Sequence, residues 1–445
     1  MSDPESGAAH EPTEATRLSW QQFTADPAAL RRTLAERGAL TFRPYASGLF
    51  PASDLTPEMA EATGMGMAWL RDNAHIAHAL HESSQPENVE LAKGVGRAVL
   101  HVLHNNRELL DDVVEGRSTA RLPVRVQGNT LENDTEPRVQ NDSVGYALWL
   151  SGYMIQQGAH HPTNEDLDVL AQTAKYLRAI RYWQDPDDGH WEENRQIHAS
   201  SIGTVVAGLM AVREAFSDQG YRPGVDLGYL IAWGKRSLYR TLPHETPPEL
   251  GNPGRLYDAA PLFLVEPLQV LTDKQQAVVV DRVEQHLKRP EGFIRYPGDT
   301  YWMPRFPSIM TVDERTTSAE GSLDFRNQKA EGVALSGTEP RWTLFDPLLS
   351  AYWGRRYLQT SREAHLDKQL EYLDRALGQL VVTADGGLRW PELHYYEYEE
   401  GVGSKWAPND HMPLLWTQAN NLRALKAFEA SINNLRAEPH GFSRG

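Results

Sequence analysis

Cysteine is missing altogether from the 445 residues, which excludes disulfides, thiolate catalysis and cysteine-ligated zinc. No stretch approaches the ~18 consecutive apolar residues of a membrane-spanning helix. Met1 to Thr16 is acidic and polar, without the apolar centre of a secretory signal. Positive charge is in deficit: 44 Lys and Arg stand against 60 Asp and Glu, a net charge of −16. Phosphate-rich partners need clustered Lys and Arg, so neither a nucleic acid nor an anionic membrane is expected. A Gly-rich phosphate loop and a serine nucleophile elbow are both absent. The histidine pairs, His160 with His161 and His75 with His78, have no accompanying carboxylates at ligand spacing, so no metal and no cofactor is expected. A cytoplasmic protein acting on a neutral small molecule is the simplest expectation. Its 12 tryptophans and 17 tyrosines offer flat faces that suit sugar rings and ordinary cores equally well.

What is present is helical. Residues 1–17 read as a disordered lead, residues 18–437 as one domain and residues 438–445 as a tail. A helix is expected over Asp26 to Gly38, followed by a short extended segment, Ala39 to Leu55. Amphipathic helices then follow over Thr56–His81, Glu87–Leu110, Asp142–Gln157, Asn164–Tyr182, Ala199–Phe216, Val225–Tyr239, Leu256–Leu271, Asp273–Leu287, Trp342–Tyr357, Ser361–Leu380 and Met412–Leu435. Between them lie a possible strand at Leu122–Gln127 and a long irregular stretch, Lys288–Pro340. Small-residue or apolar helices alternate with charged ones, while β-α alternation is absent. That pattern suits an all-α toroid of helical hairpins whose inner helices line a centre, with the long loops gathered at one end.

Five segments carry candidate chemistry. Asp185-Pro186-Asp187-Asp188-Gly189-His190-Trp191-Glu192-Glu193 is a turn delivering a tryptophan and two carboxylates. A carboxyl group against an indole face can be raised in pKa enough to act as a general acid; alternatively, Glu192 and Glu193 charge the first turn of the next helix. About two hundred residues later, Trp390-Pro391-Glu392 repeats the theme. Inverting hydrolysis of a glycosidic bond needs an acid on the leaving oxygen and a base activating water opposite, roughly 6.5–9.5 Å apart. Trp69-Leu70-Arg71-Asp72 could read vicinal hydroxyls, Asp accepting and Arg donating, or form an internal ion pair. Arg138-Val139-Gln140-Asn141-Asp142 places Asp142 as the N-cap of a buried helix. Arg295 sits among aromatics in Phe293 to Trp302, as a stacked cation in a pocket or on the surface.

Taken in their order along the chain, the five segments resemble glycoside hydrolase family 15, the glucoamylase-like enzymes. Trp69-Leu70-Arg71-Asp72 is similar to the family's Arg-Asp pair that grips the terminal glucose. Arg138 to Asp142 is similar to its Pro-Gln-x-Asp segment, and Arg295-Tyr296-Pro297-Gly298-Asp299-Thr300-Tyr301 to its substrate-contacting arginine loop. Trp191-Glu192-Glu193 resembles the segment bearing the general acid and a sugar-binding Glu, and Trp390-Pro391-Glu392 falls where the general base stands. His198-Ala199-Ser200-Ser201-Ile202-Gly203 and Glu339-Pro340-Arg341-Trp342-Thr343-Leu344-Phe345 further resemble the glucoamylase-like domain of phosphorylase kinase regulatory subunits. The likeness covers about Trp69 to Leu425 and implies a six-hairpin (α/α)6 toroid with a short N-terminal extended segment. Two departures stand out: Leu393 follows the base where the family has Gln, and Gly298 replaces a Glu.

The expected function is an inverting, exo-acting glycoside hydrolase that releases a terminal α-linked glucose, or a similar sugar, from a small saccharide or glycoconjugate. Glu192 would be the acid and Glu392 the base. Arg71, Asp72, Asp142, Glu193 and Arg295 would bind the sugar, and Trp69, Trp191, Trp302 and Trp390 would wall the pocket. A catalytically silent carbohydrate-binding or regulatory module is the alternative. The oligomeric state is left open.

Overall fold

The computed structural model describes residues 18–135, 138–193, 195–247, 255–299, 301–302, 337–399 and 403–437. The lead, the tail and residues 303–336 of the irregular stretch lie outside the described residues.

Helix α1 (Pro27–Glu36) starts on a proline, whose missing N–H is not needed in a first turn. The expected helix over Thr56–His81 is in fact α2 (Pro57–Thr63), strand β1 (Ala68–Trp69) and α3 (Leu70–Glu82). The break has a tertiary cause: Ala52 and Ser53 donate backbone hydrogen bonds to Met67 and Met65, at 3.1 and 3.2 Å, and hold that segment in a turn that leads into β1. Likewise α4 (Pro86–Asn105) and α5 (Arg107–Val114) divide one expected helix. Strand β2 (Arg125–Val126) pairs antiparallel with β1.

Next come α6 (Asn141–Gln156), α7 (Asn164–Ala179), α8 (Ala199–Asp218) and α9 (Leu227–Thr241). Thr163 and Asp166 form a reciprocal capping box on α7. Helix α10 (Leu262–Val265) is a single turn where a sixteen-residue helix was expected, because Pro261 and Pro267 bracket it and a proline ring cannot continue a helix. Then follow α11 (Asp273–His286), β3 (Arg341–Trp342), α12 (Phe345–Thr360) and α13 (Glu363–Gly378). The short pair β4 (Val381–Val382) and β5 (Leu388–Arg389) precedes β6 (Leu393–Glu399), β7 (Gly403–Pro408) and α14 (Leu415–Ala437).

Helices α3, α6, α8, α10, α12 and α14 pack in that cyclic order, and α14 closes on α3. Helices α4, α7, α9, α11, α13 and α1 back onto this ring, α1 against α14, so the first helix completes the sixth pair with the last. This is the (α/α)6 toroid. The inner helices α6 and α8 are buried nearly all round, as apolar helices without a polar face must be. Gly145 lets them meet: a Cβ there would stand 2.6 Å from the Thr204 carbonyl carbon.

The extended segment after α1 is built into the wall. Leu49 and Phe50 are fully buried, and the Leu415 N–H bonds to the Ala52 carbonyl at 2.9 Å. The sequence reading did not anticipate the β6–β7 hairpin, in which Tyr395 pairs with Ala407 and Tyr396 with Trp406. With β3 it makes a three-stranded sheet, and Glu392 immediately precedes its central strand.

Candidate functional site

The acidic turn is held to the start of α6 by its own carboxylates. Asp188 accepts the Val139 N–H at 2.7 Å and Asp187 the Asn141 N–H at 2.9 Å, while the Gln140 amide donates to the Gly189 carbonyl at 2.6 Å. Asp187 and Gln196 exchange backbone hydrogen bonds at 2.9 Å, closing the loop before α8. The Trp191 indole N–H donates to Asp258 at 2.9 Å. Glu192 therefore sits in this turn, outside the first turn of α8, and its φ of +58° lies in the left-handed region. A bulky residue adopts that backbone only where its surroundings impose it.

Glu192 Oε1 accepts the Trp69 indole N–H at 2.7 Å and lies 3.4 Å from Arg71 Nη2, while Oε2 is 3.5 Å from Arg138 Nη1. Burial pushes this carboxyl up. The guanidiniums of Arg71, Arg138 and Arg125, with the Trp69 hydrogen bond, outweigh burial and hold it below the usual carboxylate range. The pKa raised by an indole face, expected from the sequence, is thus reversed: the nearest indole offers its N–H edge, which favours the anion.

Arg71 bonds Asp72 at 3.1 Å and the His190 carbonyl at 2.9 Å, and lies 5.1 Å over the Trp416 ring. Burial outweighs Arg71, and with the Glu192 and Glu392 charges it pushes Asp72 up to about 6. Asp142 is a correction. Gln140 is the N-cap of α6, and Asp142 lies in the first turn, fully buried behind Arg71 at 3.9 Å and pushed up to about 6 by that burial. Glu193 is also behind the wall, accepting the Tyr296 hydroxyl at 2.6 Å and paired with Arg255 and, at 3.6 Å, Arg295. Arg295 holds Asp299 in a bidentate fork of 2.7 and 2.8 Å, and stacks 4.6 Å from the Trp342 ring and 5.2 Å from that of Trp191.

Glu392 Oε2 accepts the Asn409 amide at 2.8 Å and the Tyr301 hydroxyl at 3.3 Å, and His411 Nδ1 lies 2.8 Å away. Trp390 does not wall the pocket. Its side chain is fully buried in the cluster between α1, α13 and α14, with its indole N–H on the Ala376 carbonyl at 2.8 Å.

One cavity of about 820 Å³ gathers Trp69, Arg71, Asp72, Trp191, Glu192, Arg295, Trp302 and Glu392. Asp142, Glu193 and Trp390 are not on its wall. The sequence reading missed His190, Arg125, Trp342, Asn409, His411 and Trp416, which are. Arg341-Trp342 and the aromatic alternation after Glu392 were the signals available. Nothing local marks Asn409 or His411. Among the described residues, no three His, Asp or Glu side chains are grouped to hold a metal.

Carboxylates thus converge on one polar, aromatic cavity inside a closed ring of helix pairs. The model of Glycosyl hydrolases family 15 matches residues 29–220, the part of the chain that holds the Arg71-Asp72, Arg138–Asp142 and Trp191-Glu192 segments, so the likeness drawn from the motifs is shown there. A wild-type glycosidase structure is 18% identical, with 92% of this chain and 96% of that one covered and a TM-score of 0.59. A glycosidase variant in complex with glucose is 17% identical over the same shares, with a TM-score of 0.60. The glucoamylase from Saccharomycopsis fibuligera is 13% identical, with 98% and 100% covered and a TM-score of 0.53. At these identities the likeness is one of fold. No curated protein sequence matches the chain, and nothing among these matches bears on phosphorylase kinase.

Proposed function

We propose that this protein is an inverting, exo-acting glycoside hydrolase that removes a terminal α-linked glucose, or a closely similar sugar, from a small saccharide or glycoconjugate. The observation that carries this reading is the convergence of Glu192 and Glu392 on one cavity, each held by a different set of donors. The complex of a related fold with glucose, and that of a bacterial glucoamylase with acarbose, support a sugar as the ligand.

In this reading Arg71 and Asp72 meet the hydroxyls of the terminal ring, the one donating and the other accepting. Protonated Glu192 gives its proton to the glycosidic oxygen as the bond to the anomeric carbon breaks. Glu392 takes a proton from a water that attacks the opposite face, so the anomeric configuration inverts. Trp191, Trp302 and Trp342 supply apolar surface against the ring. A cavity of about 820 Å³ suits a small glycoside.

The test is sugar release from a panel of small α-glucosides, followed by NMR so that the first-formed anomer is seen, beside Glu192→Gln and Glu392→Gln. Release of β-glucose, abolished in both variants, is the expected result. Binding of sugar without release from any member would reject hydrolysis and favour a silent carbohydrate-binding module.

A further inference from the structure

In the family that the motifs resemble, an amide side chain follows the base. Here that position is Leu393, fully buried in the core. The β6–β7 hairpin brings other groups to the same carboxylate. The Asn409 N–H bonds to the Leu393 carbonyl at 3.1 Å, and the Glu392 N–H bonds to the His411 carbonyl at 3.0 Å. This pairing fixes both side chains beside the base: Asn409 Nδ2 and His411 Nδ1 are each 2.8 Å from Glu392 Oε2. The Tyr301 hydroxyl approaches the same oxygen at 3.3 Å. Among the described residues, Oε1 receives no hydrogen bond. Asn409 and His411 are 2% and 5% exposed and lie on the cavity wall.

We propose that Asn409 and His411 are positioning residues for the base, fixing Glu392 through Oε2 so that Oε1 alone is turned toward the attacking water. A carboxylate is free to rotate about its terminal bond, and either oxygen can accept a proton. Donors gathered on one oxygen remove that freedom before the water arrives, and such preorganisation lowers the barrier of a proton transfer. The inference rests on the assignment of Glu392 as base. His411 also meets the Trp302 ring edge-on, with centroids 4.9 Å apart, so its replacement must keep that packing.

The experiment uses the full chain with α-glucosyl fluoride, whose leaving group needs no proton, so the base side limits turnover. His411→Phe keeps an aromatic ring against Trp302 and removes the Nδ1 donor, whereas His411→Asn restores a donor at nearly the same place. We expect His411→Phe to lower kcat about 10–100-fold, the worth of one hydrogen bond to a charged group, with KM and the glucose Kd changed by less than about twofold. His411→Asn should recover kcat to within about threefold of the parent. Asn409→Leu carries the same expectation as His411→Phe and keeps the test alive should the latter fail to fold. An unchanged kcat in both donor-removing variants, a loss confined to KM, or His411→Asn as slow as His411→Phe would overturn the proposal. Glu392→Gln run in parallel separates the two readings. Survival of its activity rejects Glu392 as base, whereas its loss beside normal donor-removing variants rejects only the positioning role.

Discussion

Gly189 stands three residues before Glu192 with a φ of +66°, and a Cβ at that position would lie 2.9 Å from Cδ2 and Nε2 of His198. The imidazole has little room to retreat. It is buried, with Nδ1 3.4 Å from Glu245, and although burial opposes its charge, the Glu245 hydrogen bond and the Asp187 charge push it up to about 9. Gly189→Ala therefore meets two penalties. The left-handed backbone costs a residue with a Cβ about 1–2 kcal/mol, and overpacking a filled site costs about 1–3 kcal/mol more. The total, about 2–5 kcal/mol, is a large share of the 5–15 kcal/mol typical of a folded domain. Gly386→Ala is the control: its φ is +79°, yet nothing lies within 4 Å of the built Cβ, so only the backbone penalty applies. Denaturant unfolding of both variants, with kcat measured well below either transition, separates the terms. We expect Gly189→Ala to be less stable than Gly386→Ala by about 1–3 kcal/mol. Turnover should fall about 100-fold in Gly189→Ala alone, because a shift of the turn misplaces Glu192. Equal stability in the two variants, or full activity in Gly189→Ala, would refute the claim that His198 and Gly189 together set the acid turn.

Four further outcomes are expected. Glu192→Gln should lower kcat about 10²–10⁴-fold on substrates with poor leaving groups and far less on α-glucosyl fluoride; equal losses on both would reject the acid role. Trp69→Phe removes a 2.7 Å hydrogen bond that favours ionised Glu192. In the proposed acid role the protonated form is the active one, so the basic limb of kcat/KM should move to higher pH, and a limb that stays put or moves down contradicts the assignment. Asp72, pushed up to about 6, loses its acceptor charge as the pH falls through that value, so calorimetric glucose affinity should weaken on acidification; in Asp72→Asn that pH dependence should vanish. Trp390→Ala should cost about 3–5 kcal/mol of stability as a core truncation, and a changed KM with stability intact would return Trp390 to the pocket.

The ring was legible because helical periodicity is local: Ala199 to Phe216, small and apolar on every side, can only be an inner helix. Where longer-range pairing decides, the reading failed. Met65 to Trp69 is kept out of a helix by Ala52, Ser53 and β2, partners beyond the reach of one helical turn. Of the site, the Arg71-Asp72 and Trp191-Glu192 pairs were visible because neighbours in sequence stay neighbours in space. Their supports were not. Trp69 reaches Glu192 across 123 positions, and Asn409 reaches Glu392 only because the hairpin doubles back. Trp390 misled for a related reason. Residues two apart in an extended strand share a face, but Trp390 and Glu392 flank Pro391 ahead of β6, and the indole is turned to Ala376.

The two carboxylates are held by opposite kinds of partner, and on the proposed assignment this has a catalytic sense. Glu392 takes its hydrogen bonds from Asn409, Tyr301 and His411, whereas Glu192 lies among Arg71, Arg138 and the Trp69 N–H. At first sight cations around a proposed acid are a fault, since they keep it ionised in the free protein and leave less of the protonated form as pH rises. The contacts act, however, on the state that develops as the proton leaves. When the glycosidic bond breaks, Glu192 gains the negative charge that those donors are already oriented to meet. Their stabilisation therefore grows along the reaction coordinate, and only interactions stronger in the transition state than in the ground state speed the step. The compromise is a smaller protonated fraction near neutrality in exchange for a stronger acid, which places the favoured range of turnover on the acidic side.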